Sequence, residues 1–261
     1  MSQTVLSVVA TEQLTPHMIR VVLGGDGFDD FVTNEFTDKY VKVYFVKPEL
    51  GLQPPFDIVA LREQLAQDDW PVVRTYTVRL VDEQTRTLAI DFVVHGTEGV
   101  AGPWAAAAQV GDVLAFAGPG GGYAPNPDAA AHVLAGDESA TPAIAAALEA
   151  MPADATGFAL IETENQADVQ ELTAPDGIQI SWVLRSRGED LATAVAALPW
   201  PDGAVQVFAH GERESMKALR AIFAERGVSR ELRSLSGYWA KGRTEDRFQA
   251  EKREPIGQIG D

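Results

Sequence analysis

The feature that most constrains this chain is a change of hydrophobic period across a stretch dense in glycine and proline. Before Gly118-Pro119-Gly120-Gly121-Gly122-Tyr123-Ala124-Pro125-Asn126-Pro127, apolar residues alternate with polar ones in short runs. After it, apolar runs are separated by segments with helical spacing. Period two belongs to half-buried strands of an antiparallel sheet. Strands alternating with helices belong to a mostly parallel sheet. The two patterns call for two cores, so the sequence predicts two domains, 1–122 and 123–261.

The first half reads as six short strands: Thr4–Ala10, His17–Gly24, Lys39–Lys47, Val72–Val81, Thr87–His95 and Asp112–Ala117. That number and spacing fit an antiparallel barrel or sandwich. Leu50–Trp70 is an insertion with a helix over Val59–Ala66, and a second short helix is predicted over Trp104–Gln109. In the second half, His132–Ala135, Phe158–Glu162, Ile178–Leu184, Ala204–Ala209 and Leu232–Trp239 read as strands. Asp190–Leu198 and Glu214–Arg226 read as helices, and a third begins with Thr141 as N-cap and Pro142 at the first helical position. Glu254–Asp261 is predicted to fray.

Composition removes several function classes. The 261 residues include no cysteine, which excludes disulfides, thiolate metal sites and cysteine nucleophiles. Redox chemistry would need a bound cofactor not held by sulfur. Four separated histidines do not suggest a metal site. The net charge of −17 argues against nucleic acid as a partner. No leader is visible, and no apolar run approaches the roughly 20 residues that span a bilayer. A soluble cytoplasmic protein without membrane insertion is the expectation. The charge is uneven: Arg213–Arg253 carries a net +5 and the rest of the chain −22. The basic segment is either a solvated helix face or a surface that attracts anions.

Two segments carry candidate chemistry. In Arg74-Thr75-Tyr76-Thr77-Val78-Arg79, a strand would place Arg74 and Tyr76 on one side and Thr77 on the other. Arginine forks onto phosphate oxygens, and tyrosine lies against planar rings. An ordinary exposed strand explains the same residues. The second segment runs from Asp91 through His95-Gly96 to Gly99-Val100-Ala101-Gly102-Pro103-Trp104-Ala105. Small residues leading into a helix start would expose amides to a pyrophosphate. A structural loop with a structural His95 is the competing reading.

Taken in order, RTYT, HG…GVAGPWA, GPGGGY, GDESATPAIAAALE, VFAHGERESMKALR and GYWAKGRTED resemble the siderophore-interacting protein family, the flavin-dependent ferric-siderophore reductases of ferredoxin–NADP reductase-like architecture. The likeness runs from about Val5 to Arg253. It implies a six-stranded antiparallel β-barrel that binds FAD, followed by a Rossmann-like parallel α/β domain for NADH or NADPH, whose C-terminal segment returns to the flavin.

By that resemblance, Arg74 meets the flavin phosphates, Tyr76 packs on the flavin and Thr77 lies near its reactive end. Asp91, His95, Gly96, Gly102, Trp104 and Ala105 belong to the region over the pyrophosphate. Asp137, Ser139 and Thr141 form the nicotinamide side, although a plain helix cap accounts equally for Thr141. Tyr238 and Trp239 cover the ring, so Thr77, Thr141 and Trp239 are the expected catalytic positions. Lys42, Lys241, Arg243 and Arg247 would form a basic mouth for a ferric siderophore, whereas solvated surface charges explain each one separately. Many members of that family carry arginine where this chain has Ala240, and Lys241 and Arg243 would substitute for it. The implied activity is reduction of chelated Fe(III), with release of the more weakly held Fe(II). The donor is NADPH, NADH or a ferredoxin. The alternatives are a flavin reductase with another acceptor, such as free flavin or a quinone, and a non-catalytic ferric-chelate binding protein.

Overall fold

The computed structural model describes residues 3–97 and 99–259, which form two compact units dividing between Gly121 and Gly122. The first unit is a closed antiparallel barrel. Its strands are β1 (Gln3–Thr15), β2 (Met18–Gly24), β3 (Tyr40–Phe45), β4 (Val72–Asp82), β5 (Thr87–Val93) and β6 (Val113–Gly120), in the order β1-β2-β5-β4-β3-β6. The period-two pattern decides which side chains face in. Along β3, Val41, Val43 and Phe45 are buried while Tyr40, Lys42 and Tyr44 are not. Leu6, Val8, Ile90, Phe92, Leu114 and Phe116 complete the interior.

Helix α1 (Ile58–Gln64) lies in the 50–70 insertion, capped by Asp57, whose carboxylate accepts Ala60 N–H at 3.0 Å. Helix α2 spans Ala101–Ala107 and buries Ala101 and Ala105 against the barrel. It starts three residues before the expected Trp104. Proline is tolerated in a first turn because its missing N–H has no intrahelical use there, so Pro103 does not mark the boundary. Gly118–Gly120, read from sequence as linker, instead belong to β6, with Gly120 paired to Tyr40.

The second unit is a five-stranded parallel sheet of β7 (Ala131–Gly136), β8 (Thr156–Thr163), β9 (Gly177–Leu184), β10 (Val205–Glu212) and β11 (Arg233–Trp239), in the order β11-β10-β7-β8-β9. Helix α3 (Thr141–Ala150) covers one face through Ile144, Ala147 and Leu148. Helices α4 (Leu191–Ala196) and α5 (Arg213–Glu225) cover the other through Leu191, Val195, Met216, Leu219 and Phe223. Alternate strand residues serve the two faces: Val133 and Ala135 pack with α4 and α5, and Leu134 with α3. The Rossmann-like expectation holds.

Two local readings change. Ala140, not Thr141, is the N-cap of α3; Thr141 is the first helical residue, and its hydroxyl donates to the Asp137 carbonyl at 3.3 Å. The C-terminal segment is not frayed over its described residues. Helix α6 (Glu245–Glu251) is followed by a short turn whose Ile256 carbonyl accepts Lys217 Nζ at 2.9 Å. Ile259 packs on the α4–α5 core, while residues 260–261 of that predicted tail lie outside the described residues.

Candidate functional site

Each unit presents one cluster of the expected residues. On the barrel, antiparallel pairing sets Lys42 opposite Thr75, Val43 opposite Arg74 and Tyr40 opposite Thr77. Arg74 is half-buried, with Nη1 donating to the Val73 carbonyl at 2.9 Å. Tyr76 stacks inward on Phe92, ring centroids 4.3 Å apart, so part of its ring already serves the core. Thr77 is buried beside Val78 rather than alternating with it, because the β4–β5 register shifts between Val78 and Leu80. Lys42 Nζ donates to the Thr75 hydroxyl and sits 5.5 Å from the Tyr40 ring centroid.

The loop after β5 carries exposed His95, whose ring centroid lies 5.9 Å from that of His17. These two of the four histidines are therefore neighbours. Gly96 and Gly99 hold positive φ of 60° and 82°, with no atom within 4 Å of where a Cβ would stand. Gly102 lets α2 approach the end of β5: a Cβ there would lie 3.3 Å from the Val93 carbonyl. Trp104 packs edge-on to Phe45 and against Phe92, and Ala105 is buried in the core. Asp91 is committed elsewhere, its two oxygens taking Arg20 Nε at 2.7 Å and Nη2 at 2.8 Å between β5 and β2. A half-buried arginine, an exposed Thr75 beside Lys42 and an open glycine backbone suit a flavin dinucleotide, with the cation for phosphate and the polar wall for the ring edge, whereas Thr77 is buried.

In the second unit, the sheet order reverses between β7 and β10: β7 leads outward to β8, and β10 returns on its other side. Ligands of open α/β sheets bind at the C-terminal strand ends beside such a reversal. Asp137, just past β7, organises that edge. One carboxylate oxygen accepts Ser139 N–H at 2.9 Å and the Ser139 hydroxyl; the other accepts Glu212 N–H and Trp239 Nε1, each at 2.8 Å. The ends of β7, β10 and β11 are thereby tied to one group. Burial pushes the Asp137 carboxyl above its ordinary pKa, while Ser139, Trp239 and the Glu212 amide pull it down. Gly211, at φ 150°, is required here, since a Cβ would stand 2.7 Å from the Asp137 oxygen.

The residues the sequence did not single out explain how the edge is held. Glu212 caps α5, accepting Glu214 N–H at 2.6 Å and Ser215 N–H at 3.0 Å, and its other oxygen takes Lys241 N–H at 3.0 Å. His210 is buried between Tyr238 and Ser234: Nδ1 lies 2.9 Å from the Tyr238 hydroxyl and Nε2 3.0 Å from the Ser234 hydroxyl. Burial, reinforced by nearby Lys252, drives the imidazole pKa down to about 3, so it is neutral at pH 7. Tyr238 is thus held by its hydroxyl. Trp239 keeps 38% of its surface exposed although its indole nitrogen is fixed.

The predicted basic mouth is altered. Arg243 Nε and Arg247 Nε both reach Glu251 Oε1, at 2.7 and 3.0 Å, and Arg213 Nη1 reaches its Oε2 at 2.7 Å. The Glu251 carboxyl is held down at about 2, first by Arg213 and then by the other two. Part of the +5 segment is therefore internal wiring that docks α6 onto α5. Lys241 remains exposed. Among the described residues no group of three or more His, Asp or Glu is placed to hold a metal. No helix of the described residues is long and apolar enough to cross a membrane.

Residues 7–123 match the siderophore-interacting FAD-binding domain, and residues 129–242 match the siderophore-interacting protein domain. The chain belongs to the siderophore-interacting protein family. FAD is the cofactor of its barrel unit. The chain is 35% identical to ferric vibriobactin reductase ViuB of Vibrio cholerae, over 95% of this chain and 93% of that protein. It is 30% identical to an NADPH-dependent ferric-chelate reductase of Escherichia coli, over 90% and 91%. The crystal structure of a siderophore utilization protein from T. fusca superposes with a TM-score of 0.79 at 36% identity, covering 93% of this chain and 94% of that one. With the FAD-binding domain, these relatives place the chain among the oxidoreductases.

Proposed function

We propose that this protein is a reductase of ferric siderophores, passing electrons from NAD(P)H through FAD to chelated Fe(III), so that Fe(II) leaves the chelator. The observation that carries the reading is the match of both units to siderophore-interacting domains, supported by relatives named a ferric vibriobactin reductase and a ferric-chelate reductase. Those names give no support to a ferredoxin donor. FAD, when bound, couples the two-electron hydride of a nicotinamide to the one-electron needs of iron.

The chain's own residues have distinct parts in this reading. Arg74 neutralises flavin phosphate from the wall of the barrel, and Thr77, buried, stands three residues further along the same strand. Gly96 and Gly99 leave the backbone bare for pyrophosphate, and Gly102 lets α2 sit close to the end of β5. At the sheet edge, Asp137 turns its carboxylate inward, onto Ser139 and Trp239, and so fixes the loop after β7. Tyr238 and Trp239, each fixed through its polar atom, supply flat surface at low cost in side-chain freedom. Of the expected cations, Lys241 is exposed and Lys42 is half-buried against Thr75 and Tyr40; each is a candidate contact for an anionic chelate.

The test is retention of flavin. Wild-type protein should bind FAD on reconstitution, and Arg74→Ala should bind it more weakly by about 1.5–3 kcal/mol through loss of a charge-assisted phosphate contact. Unchanged affinity would remove Arg74 from the site.

A further inference from the structure

The second unit holds an ion cluster at the same strand edge that the reading above leaves unused. Arg185, immediately after β9, meets three carboxylates. Its Nη1 donates to Glu138 Oε2 at 2.9 Å and to Glu162 Oε1 at 3.1 Å, its Nε to Glu164 Oε2 at 3.1 Å, and its Nη2 to Glu138 Oε1. Four of the five guanidinium N–H donors are thus taken. Glu138 follows β7, Glu162 lies near the end of β8 and Glu164 just beyond it, so the cluster spans the C-terminal ends of three adjacent parallel strands. Glu138 and Glu162 are nearly buried, at 10% and 14% side-chain exposure, while Glu164 is 52% exposed and forms the rim.

In a βαβ dinucleotide fold, the residue near the end of the second strand meets the adenosine ribose. A carboxylate there accepts from the 2′-hydroxyl of NAD(H), whereas an arginine there neutralises the 2′-phosphate of NADP(H). Strands β7 and β8, joined by α3, form that unit here, and both residue types are present. Three glutamates against one arginine leave the cluster with two negative charges in excess. A 2′-phosphate brought to this edge would face those carboxylates and would have to pull Arg185 away from them. Arg187 is exposed, with Nη2 3.5 Å from Gln166 Oε1, and is followed after Gly188 by Glu189 and Asp190.

We propose that Glu138, Glu162 and Glu164 sequester Arg185 and make this strand edge selective for NADH over NADPH, with Glu164 receiving the ribose 2′-hydroxyl. The inference rests on the reading that a nicotinamide dinucleotide is the donor, and it contrasts with the NADPH dependence in the name of the Escherichia coli relative. Glu162 and Glu164 are specificity-determining residues, and Arg185 is part of a barrier rather than a phosphate ligand.

Anaerobic binding calorimetry with protein whose flavin has first been reduced tests this without turnover, because reduced flavin takes no hydride. The probes are ADP, 2′,5′-ADP, NADH and NADPH. The unphosphorylated member of each pair should bind at least about tenfold tighter, as like-charge contact demands. Glu162→Gln with Glu164→Gln removes the two excess negative charges, leaving Arg185 paired with Glu138 alone, and should narrow the ratio; Glu164→Gln alone, at an exposed position, should shift it part of the way and covers the case in which the double variant misfolds. Equal or tighter binding of 2′,5′-ADP and NADPH by the wild type overturns the inference while leaving a nicotinamide donor in place. Selectivity for NADH that neither variant changes overturns the assignment to these residues. Failure of both NADH and NADPH to bind overturns the donor reading together with the inference.

Discussion

Replacing His210 with glutamine should remove most of one component of this protein's acid sensitivity. His210 is buried, stacked 3.9 Å from the Phe208 ring centroid, and hydrogen-bonded at both ring nitrogens to hydroxyls that need no charge on the imidazole. Its pKa is pulled from 6.5 to about 3, first by burial and then by Lys252. A histidine with a depressed folded pKa stabilises the fold above its unfolded value, and that stability is lost as pH falls through the window from 6.5 toward 3. In that window the unfolded chain takes a proton that the folded chain refuses. At about 1.4 kcal/mol per pH unit, the linked loss is about 1.4 kcal/mol at pH 5.5 and about 2.7 kcal/mol at pH 4.5. Urea unfolding of wild type and His210→Gln between pH 7.5 and 4.5 isolates this term, because the carboxylates titrate alike in both. Glutamine forfeits about 1 kcal/mol of hydrogen bonding at every pH. The wild-type curve should start above the variant and converge on it or cross below it in acid. Parallel curves would refute the neutral buried imidazole.

Three further outcomes follow from the packing. Asp137→Asn replaces an acceptor of four donors with an amide that presents N–H groups to some of them, and should destabilise the second unit by about 2–4 kcal/mol. It should also change tryptophan emission, and that change should vanish in a Trp239→Phe background. Glu251→Gln removes the charge on which Arg213, Arg243 and Arg247 converge, so α6 should lose hydrogen-exchange protection before the rest of the unit does. Gly157→Ala puts a methyl group into the carbonyl of His132 at a φ of 140°, and should lower stability by more than about 3 kcal/mol in thermal unfolding, with the barrel unit unaffected.

The barrel and the parallel sheet were legible because burial repeats at the period of each element. Val41, Val43 and Phe45 alternate with polar neighbours, and the run Ala131–Gly136 is buried throughout. The start of α2 was not legible, since Gly102 and Pro103 look like punctuation yet sit inside its first turn. Helix α6 gave no sequence signal because it buries only Phe248 and Glu251 and is held by ion pairs to residues on other elements. The GDESA segment could be picked out as a loop, but not the partners of Asp137: Glu212 lies 75 residues away and Trp239 lies 102. Arg243 and Arg247 read as surface cations because sequence does not show that Glu251 binds both.

The central claim is electron delivery to chelated iron. The most direct measurement is anaerobic: reduce the FAD-loaded protein with one equivalent of NADH, mix it with a ferric siderophore, and follow flavin reoxidation beside formation of a trapped Fe(II) complex. The account predicts that the two signals rise together, with two Fe(II) formed for each flavin reoxidised. Flavin that stays reduced in the presence of the ferric chelate, or that is reoxidised only by free flavin or a quinone, would contradict it.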